Sequence, residues 1–238
     1  MEYVDFIDSI ERASARFAQV LVTTPLATPV PACPGWNLGD LARHLGGVHR
    51  WARSQIVGVS EPDAESPADD ADALTVWFSG GAESLTRELR RREPTEACST
   101  VYPPAVVATW ARRQALETAL HLWDATDAIG RPVLVVGDLA VSGVVEVVED
   151  LYPRQVRLGR TRPLDGRLDI HLTDRDRVAR PIRLGSSDAD DSSSARIEIL
   201  AADALLLLWG RRTLDEVPAR VSGSERVLRE VLAAALVP

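Results

Sequence analysis

The chain has 238 residues, 45% of them apolar and 26% charged, enough to bury a core without disulfides or a structural metal and long enough to favour two small domains over one. Lys plus Arg number 27 against 35 Asp plus Glu, and the net charge of −8 argues against a nucleic-acid partner held by phosphate neutralisation. Every basic residue is arginine, which excludes Schiff bases, amine nucleophiles and the lysine of phosphate-binding loops.

Residues 3–22 space Phe6, Ile10, Phe17, Val20 and Leu21 at near-helical intervals, and a first amphipathic helix is expected there. After Thr23-Thr24-Pro25 comes a rigid turn, Pro31-Ala32-Cys33-Pro34-Gly35-Trp36-Asn37, whose Asn37 can cap a second helix over about 38–57 with Leu41, Leu45 and Val48 on its apolar stripe. Glu61–Asp72 is rich in Pro, Ala and Asp and reads as an exposed loop. A third helix is expected over 71–91, carrying Leu74, Trp77, Phe78, Leu85 and Leu89. A fourth is expected to open at Pro103-Pro104 and run to Gly130.

Beyond Gly130 the texture changes to short β-branched runs between turn residues, and a domain boundary is placed there: a helical bundle over 1–130, an α+β domain over 131–238. Strands are expected at 133–136, 167–172, 179–184, 195–200 and 219–222, interleaved with helices at 138–150, 201–210 and 224–236. Gly185–Ser194 reads as a turn or loop.

The chemistry concentrates in the fourth helix. Glu117 and His121 are four residues apart, so they lie within about 40° of each other, one turn apart. Such a pair can chelate a metal from one face, pair on the surface, or share a hydrogen bond in the core, and spacing alone does not choose. His44 falls on the apolar stripe of the second helix and supplies a possible third ligand from the bundle interior. Two nitrogens and one carboxylate would leave a fourth tetrahedral position open, as in catalytic zinc sites.

Two stretches carry a family resemblance. Val30-Pro31-Ala32-Cys33-Pro34-Gly35-Trp36-Asn37-Leu38-Gly39-Asp40-Leu41-Ala42-Arg43-His44-Leu45, followed by His49-Arg50-Trp51, resembles the N-terminal signature of the mycothiol-dependent maleylpyruvate isomerase family. Arg113 to Glu117, His121, and Asp124 to Gly130 resemble its second signature. Leu208-Trp209-Gly210-Arg211 is similar to the Gly-Arg motif of its C-terminal part. The resemblance implies a DinB-like four-helix bundle with a metal site, followed by a small α/β domain like sterol carrier proteins. It places the metal ligands on His44, Glu117 and His121, with zinc the expected divalent ion, although nickel suits the same donors.

The implied activity is that of an enzyme in which mycothiol, as thiol cofactor or co-substrate, is held as a thiolate by the metal and attacks an electrophilic small molecule. In a maleylpyruvate-type cis–trans isomerase the adduct collapses to the trans acid. In a thiol S-transferase the adduct is the product. A metal-dependent hydrolase and a non-enzymatic binding or regulatory protein on the same bundle stand as alternatives.

Arg211 is the nominee for a substrate carboxylate in a cleft between domains, since its planar fork matches that group; a salt bridge to Asp215 or Glu216 is the structural alternative. His49 lies about 140° around its helix from His44 and is expected to face a loop or neighbouring helix. Asp124 can orient His121, remain a solvated acid, or pair with Arg112 or Arg113. Cys33 reads as a buried structural thiol, and His171 as a residue of a sheet face. Cys33 and Cys98 make no disulfide framework, which suits a cytoplasmic compartment. The start Met1-Glu2-Tyr3-Val4-Asp5 lacks a signal peptide's bases, and no apolar run reaches the ~20 residues of a membrane span. No membrane partner is expected, and a monomer or homodimer is.

Overall fold

The computed structural model describes residues 1–59, 66–67, 70–174, 181–186, 188 and 190–238. The chain falls into two compact units, Met1–Val135 and Val136–Pro238.

The first unit is a bundle of α1 (Tyr3–Thr23), α2 (Leu38–Val57), α3 (Ala71–Arg91) and α4 (Val107–Asp127). Asn37 accepts from the Asp40 amide while the Asp40 carboxylate accepts from the Asn37 amide, so two backbone donors at the start of α2 are satisfied reciprocally. Asp70 caps α3 through the Ala73 amide. Helix α1 packs on α3 and α4, and α2 packs on the same two, whereas α1 and α2 scarcely meet. The first two helices therefore stand diagonally across the bundle, and the chain between them must cross its end. Phe17, Leu21, Leu41, Leu45, Leu74 and Phe78 are wholly buried in the core. Helices α2 and α3 cross closely at Gly46, where an added Cβ would stand 2.3 Å from the Trp77 ring.

Two details of this unit depart from expectation. Pro103-Pro104, joined by a cis peptide, belongs to a loop that pairs Ala97 with Val106, so α4 starts at Val107 rather than at the prolines. It ends at Asp127, three residues short of Gly130. Most of the expected Glu61–Asp72 loop lies outside the described residues.

The second unit opens with α5 (Gly137–Glu146), which runs through a π-turn (Val147–Leu151) into α6 (Tyr152–Arg157). The helix expected at 138–150 thus continues to Arg157. Pro153 occupies the first turn of α6, where its missing N–H costs little, and the wider turn before it absorbs the mismatch. The run 133–136 is not a strand: it pairs with no strand among the described residues, and only Val135 of it is buried. Its β-branched texture met no partner, and strand propensity is realised only against a neighbour.

The sheet comprises β1 (Arg167–Leu172), β2 (Ile182–Gly185), β3 (Ser194–Ile199) and β4 (Ala219–Gly223) in the order β2-β1-β3-β4. Strands β1 and β3 are parallel; the outer pairs are antiparallel. Residues 179–180 of an expected strand lie outside the described set. Leu168, Ile170, Ala195, Ile197 and Ile199 point to the buried face. The alternate positions Arg167, Asp169, His171, Arg196 and Glu198 make the polar one. Helices α7 (Ala201–Leu208) and α8 (Glu225–Ala233) complete the unit. A helical bundle followed by a small mixed sheet with helices is the expected fold class.

Candidate metal centre

Helix α4 is buried on nearly every face: Arg113 through Thr126 are all buried. Burying Arg113, Glu117, His121 and Asp124 at these positions is costly unless each is paired, and the pairing is complete enough to define a site. Glu117 Oε1 lies 3.3 Å from His44 Nε2 and 3.3 Å from His121 Nε2. One ligand atom from each of His44, Glu117 and His121 lies within 4.8 Å of the others. The other carboxylate oxygen, Oε2, pairs with the Arg113 guanidinium one turn earlier on α4. The His44 and His121 rings meet edge to face at 5.1 Å.

The electrostatics separate the two imidazoles. Burial, reinforced by the neighbouring His121 and Arg113, lowers His44 to about 4, so it is neutral at pH 7 with a lone pair available to an ion. Burial also works against charge on His121, but its hydrogen bonds to Asp124 and Cys33, with the charge of Asp124, outweigh it and raise that group above its ordinary value. Asp124 Oδ2 stands 2.8 Å from His121 Nδ1. A proton on Nδ1 facing that carboxylate leaves Nε2 as the donor atom toward Glu117, which is how metal-binding histidines are usually held.

The remaining sequence candidates are placed as follows. His49 is fully buried, its Nε2 2.9 Å from the Thr118 hydroxyl of α4 and its Nδ1 without a hydrogen-bond partner among the described residues. Burial, with Arg50, His121 and His44 nearby, lowers it to about 3. Asp124 turns to His121 rather than to solvent. Arg211, just past α7, is half-buried; it donates to the Trp209 carbonyl at 3.1 Å and lies over the Trp209 ring at 5.3 Å. Glu216, one of its two suggested partners, accepts from the Thr213 amide and hydroxyl. His171 lies on the polar sheet face opposite Glu198.

Sequence reasoning gave no site role to three neighbours. Arg113 clamps Glu117, a contact its i,i+4 spacing could have suggested. Trp36 packs on the His44 ring at 4.9 Å. Cys33 Sγ donates to Asp124 Oδ2 at 3.6 Å, so the thiol read as inert packing is hydrogen-bonded behind His121.

The profile of one family, described as the mycothiol maleylpyruvate isomerase N-terminal domain, matches residues 7–126, the stretch that holds all these groups. The chain belongs to that family. Two solved structures share its fold: the mycothiol-dependent maleylpyruvate isomerase and a histidine-to-alanine mutant of it, at TM-scores of 0.61 and 0.63. Each is 11% identical in sequence and covers 92% of this chain and 93% of its own. No curated protein matches the chain. Among the described residues no helix is long and apolar enough to cross a membrane.

Proposed function

We propose that this chain is a divalent-metal enzyme that uses mycothiol to isomerise a small cis-unsaturated acid of the maleylpyruvate kind. The observation that carries the reading is the convergence of His44, Glu117 and His121 in a member of this family. Zinc bonds of about 2.0–2.1 Å to nitrogen or oxygen require donor–donor separations near 3.3 Å in a tetrahedron, and both Nε2–Oε1 separations are 3.3 Å. Zinc fits this set of two imidazoles and one carboxylate. Three protein donors leave room for one exogenous ligand, and a divalent ion held there would keep a thiol ionised at neutral pH.

The chain's own residues prepare the site. Asp124 holds the Nδ1 proton of His121, Arg113 balances the Glu117 oxygen turned away from the histidines, and burial keeps His44 neutral. Trp36 packs on one ligand ring, restricting its rotation. In the reaction the thiol sulfur bonds to one carbon of the cis double bond. The resulting single bond rotates, and expulsion of the sulfur returns the trans acid and the thiol unchanged. We assign a substrate carboxylate to Arg211, on the chemistry of its guanidinium fork.

Elemental analysis of purified protein, beside turnover of a maleylpyruvate-type acid with and without mycothiol, tests this. About one zinc or similar ion per chain, and trans acid formed only with thiol, is the expected result. A stable thioether product would make the protein a transferase. A cleaved product formed with water and without thiol would make it a hydrolase. No metal uptake would leave a binding protein. Arg211→Ala should abolish turnover of a dianionic acid while metal content stays unchanged.

A further inference from the structure

The turn between α1 and α2 reaches both histidines of the centre. It brings Trp36 to 4.9 Å from the His44 ring and the Cys33 thiol to 3.6 Å from Asp124 Oδ2. That same carboxylate oxygen stands 2.8 Å from His121 Nδ1.

The turn can hold these groups still. Cys33 N–H donates to the Val30 carbonyl and Trp36 N–H to the Cys33 carbonyl, each at 3.0 Å, while Val30 N–H donates to the Trp36 carbonyl at 3.0 Å. Gly35 takes φ +84°, open to glycine at no steric cost. Pro29 and Asn37 pair as an antiparallel bridge, and Asn37 is itself the cap of α2. The thiol is thus fixed to the helix that carries His44.

Asp124 has no solvent exposure, so its orientation is set by the donors around it rather than by water. A carboxylate oxygen has two lone pairs, and on Oδ2 they meet His121 and Cys33. We propose that Cys33 is a positioning residue: its thiol proton, given to Asp124, fixes the carboxylate that aims His121 Nε2 at Glu117 and His44. Cys33 acts from the Nδ1 side of the ring, opposite the nitrogen turned to Glu117, so it supports the centre without joining it. The relay is made by this chain's own residues; only its consequence for metal affinity rests on the function proposed above.

The test uses full-length protein, with nitrogen-15 NMR of the His121 ring after chelator treatment and zinc titration of the same samples. Wild type should show the proton on Nδ1 at low field. Cys33→Ala should shift that signal, and Cys33→Ser, which restores a donor, should return it toward the wild-type position. Zinc affinity should fall about 10- to 100-fold in Asp124→Asn and by about 3- to 10-fold in Cys33→Ala, with Cys33→Ser within about 2-fold of wild type. An unchanged His121 signal in folded Cys33→Ala overturns the proposal. The expected ring signals without zinc binding in any sample would support the relay and refute the metal reading.

Discussion

The two units handle polar groups in opposite ways. Among the described residues the bundle buries His49, Arg113, Gln114, Glu117, Thr118, His121 and Asp124, whereas the α+β unit buries Glu146 and Gln155 and turns its charges to one open face of the sheet. Buried titratable groups oppose folding unless paired, so a concentration of them marks where an arrangement serves chemistry rather than stability. The sheet pairs charges where water weakens them, as between Arg196 and Glu198; such contacts contribute little.

Paired substitutions in the two units would sharpen or break this contrast. The largest effect is expected from His121→Ala, which should eliminate metal uptake and turnover, read as ions per chain and as product formed. Full metal occupancy in that variant would remove the centre from α4. Arg113→Met should follow, because it strips the partner from a buried carboxylate; a loss of about 3–5 kcal/mol in denaturant unfolding of metal-free protein is expected, partly recovered on adding zinc.

Acid supplies the third comparison. His49, wholly buried and lowered to about 3 in the fold, binds a proton more readily in the unfolded chain, whose ordinary value is about 6.5. Its contribution is therefore present above pH 6.5 and is lost as pH falls toward 3, amounting to about 2 kcal/mol between pH 6.5 and 5. His44, lowered to about 4, acts in the same sense. His121, raised, acts in the opposite sense: its contribution is full below pH 6.5 and lost as pH rises through its folded value. Metal-free His49→Leu should show a distinctly shallower acid limb, and an unchanged limb would refute this account. The smallest effect belongs to the second unit, where His171→Ala should stay within about 0.5 kcal/mol and leave metal content untouched.

How much of this was legible beforehand follows the same division. The bundle helices announced themselves through apolar spacing and the Asn37 cap, both local properties. His44, Glu117 and His121 were nominated by helical geometry and by the family motifs together. Cys33 escaped because its contact with Asp124 joins the 29–37 turn to α4 and depends on α1 and α2 standing diagonally, which no local pattern encodes; Arg113 and Trp36 make contacts within their own stretch of chain, to Glu117 and His44. The strand misread at 133–136 failed for a related reason, since its residues have strand composition but no neighbouring strand. Continuation of the helix past Pro153 needed a π-turn that propensity does not foresee.

Helix α4 is both the keystone of the bundle and the bearer of four of the groups at its centre, Arg113, Glu117, His121 and Asp124. A change within it is therefore read twice, once as lost packing and once as altered chemistry. Directed evolution should therefore leave Arg113–Thr126 alone and randomise the segments that frame it.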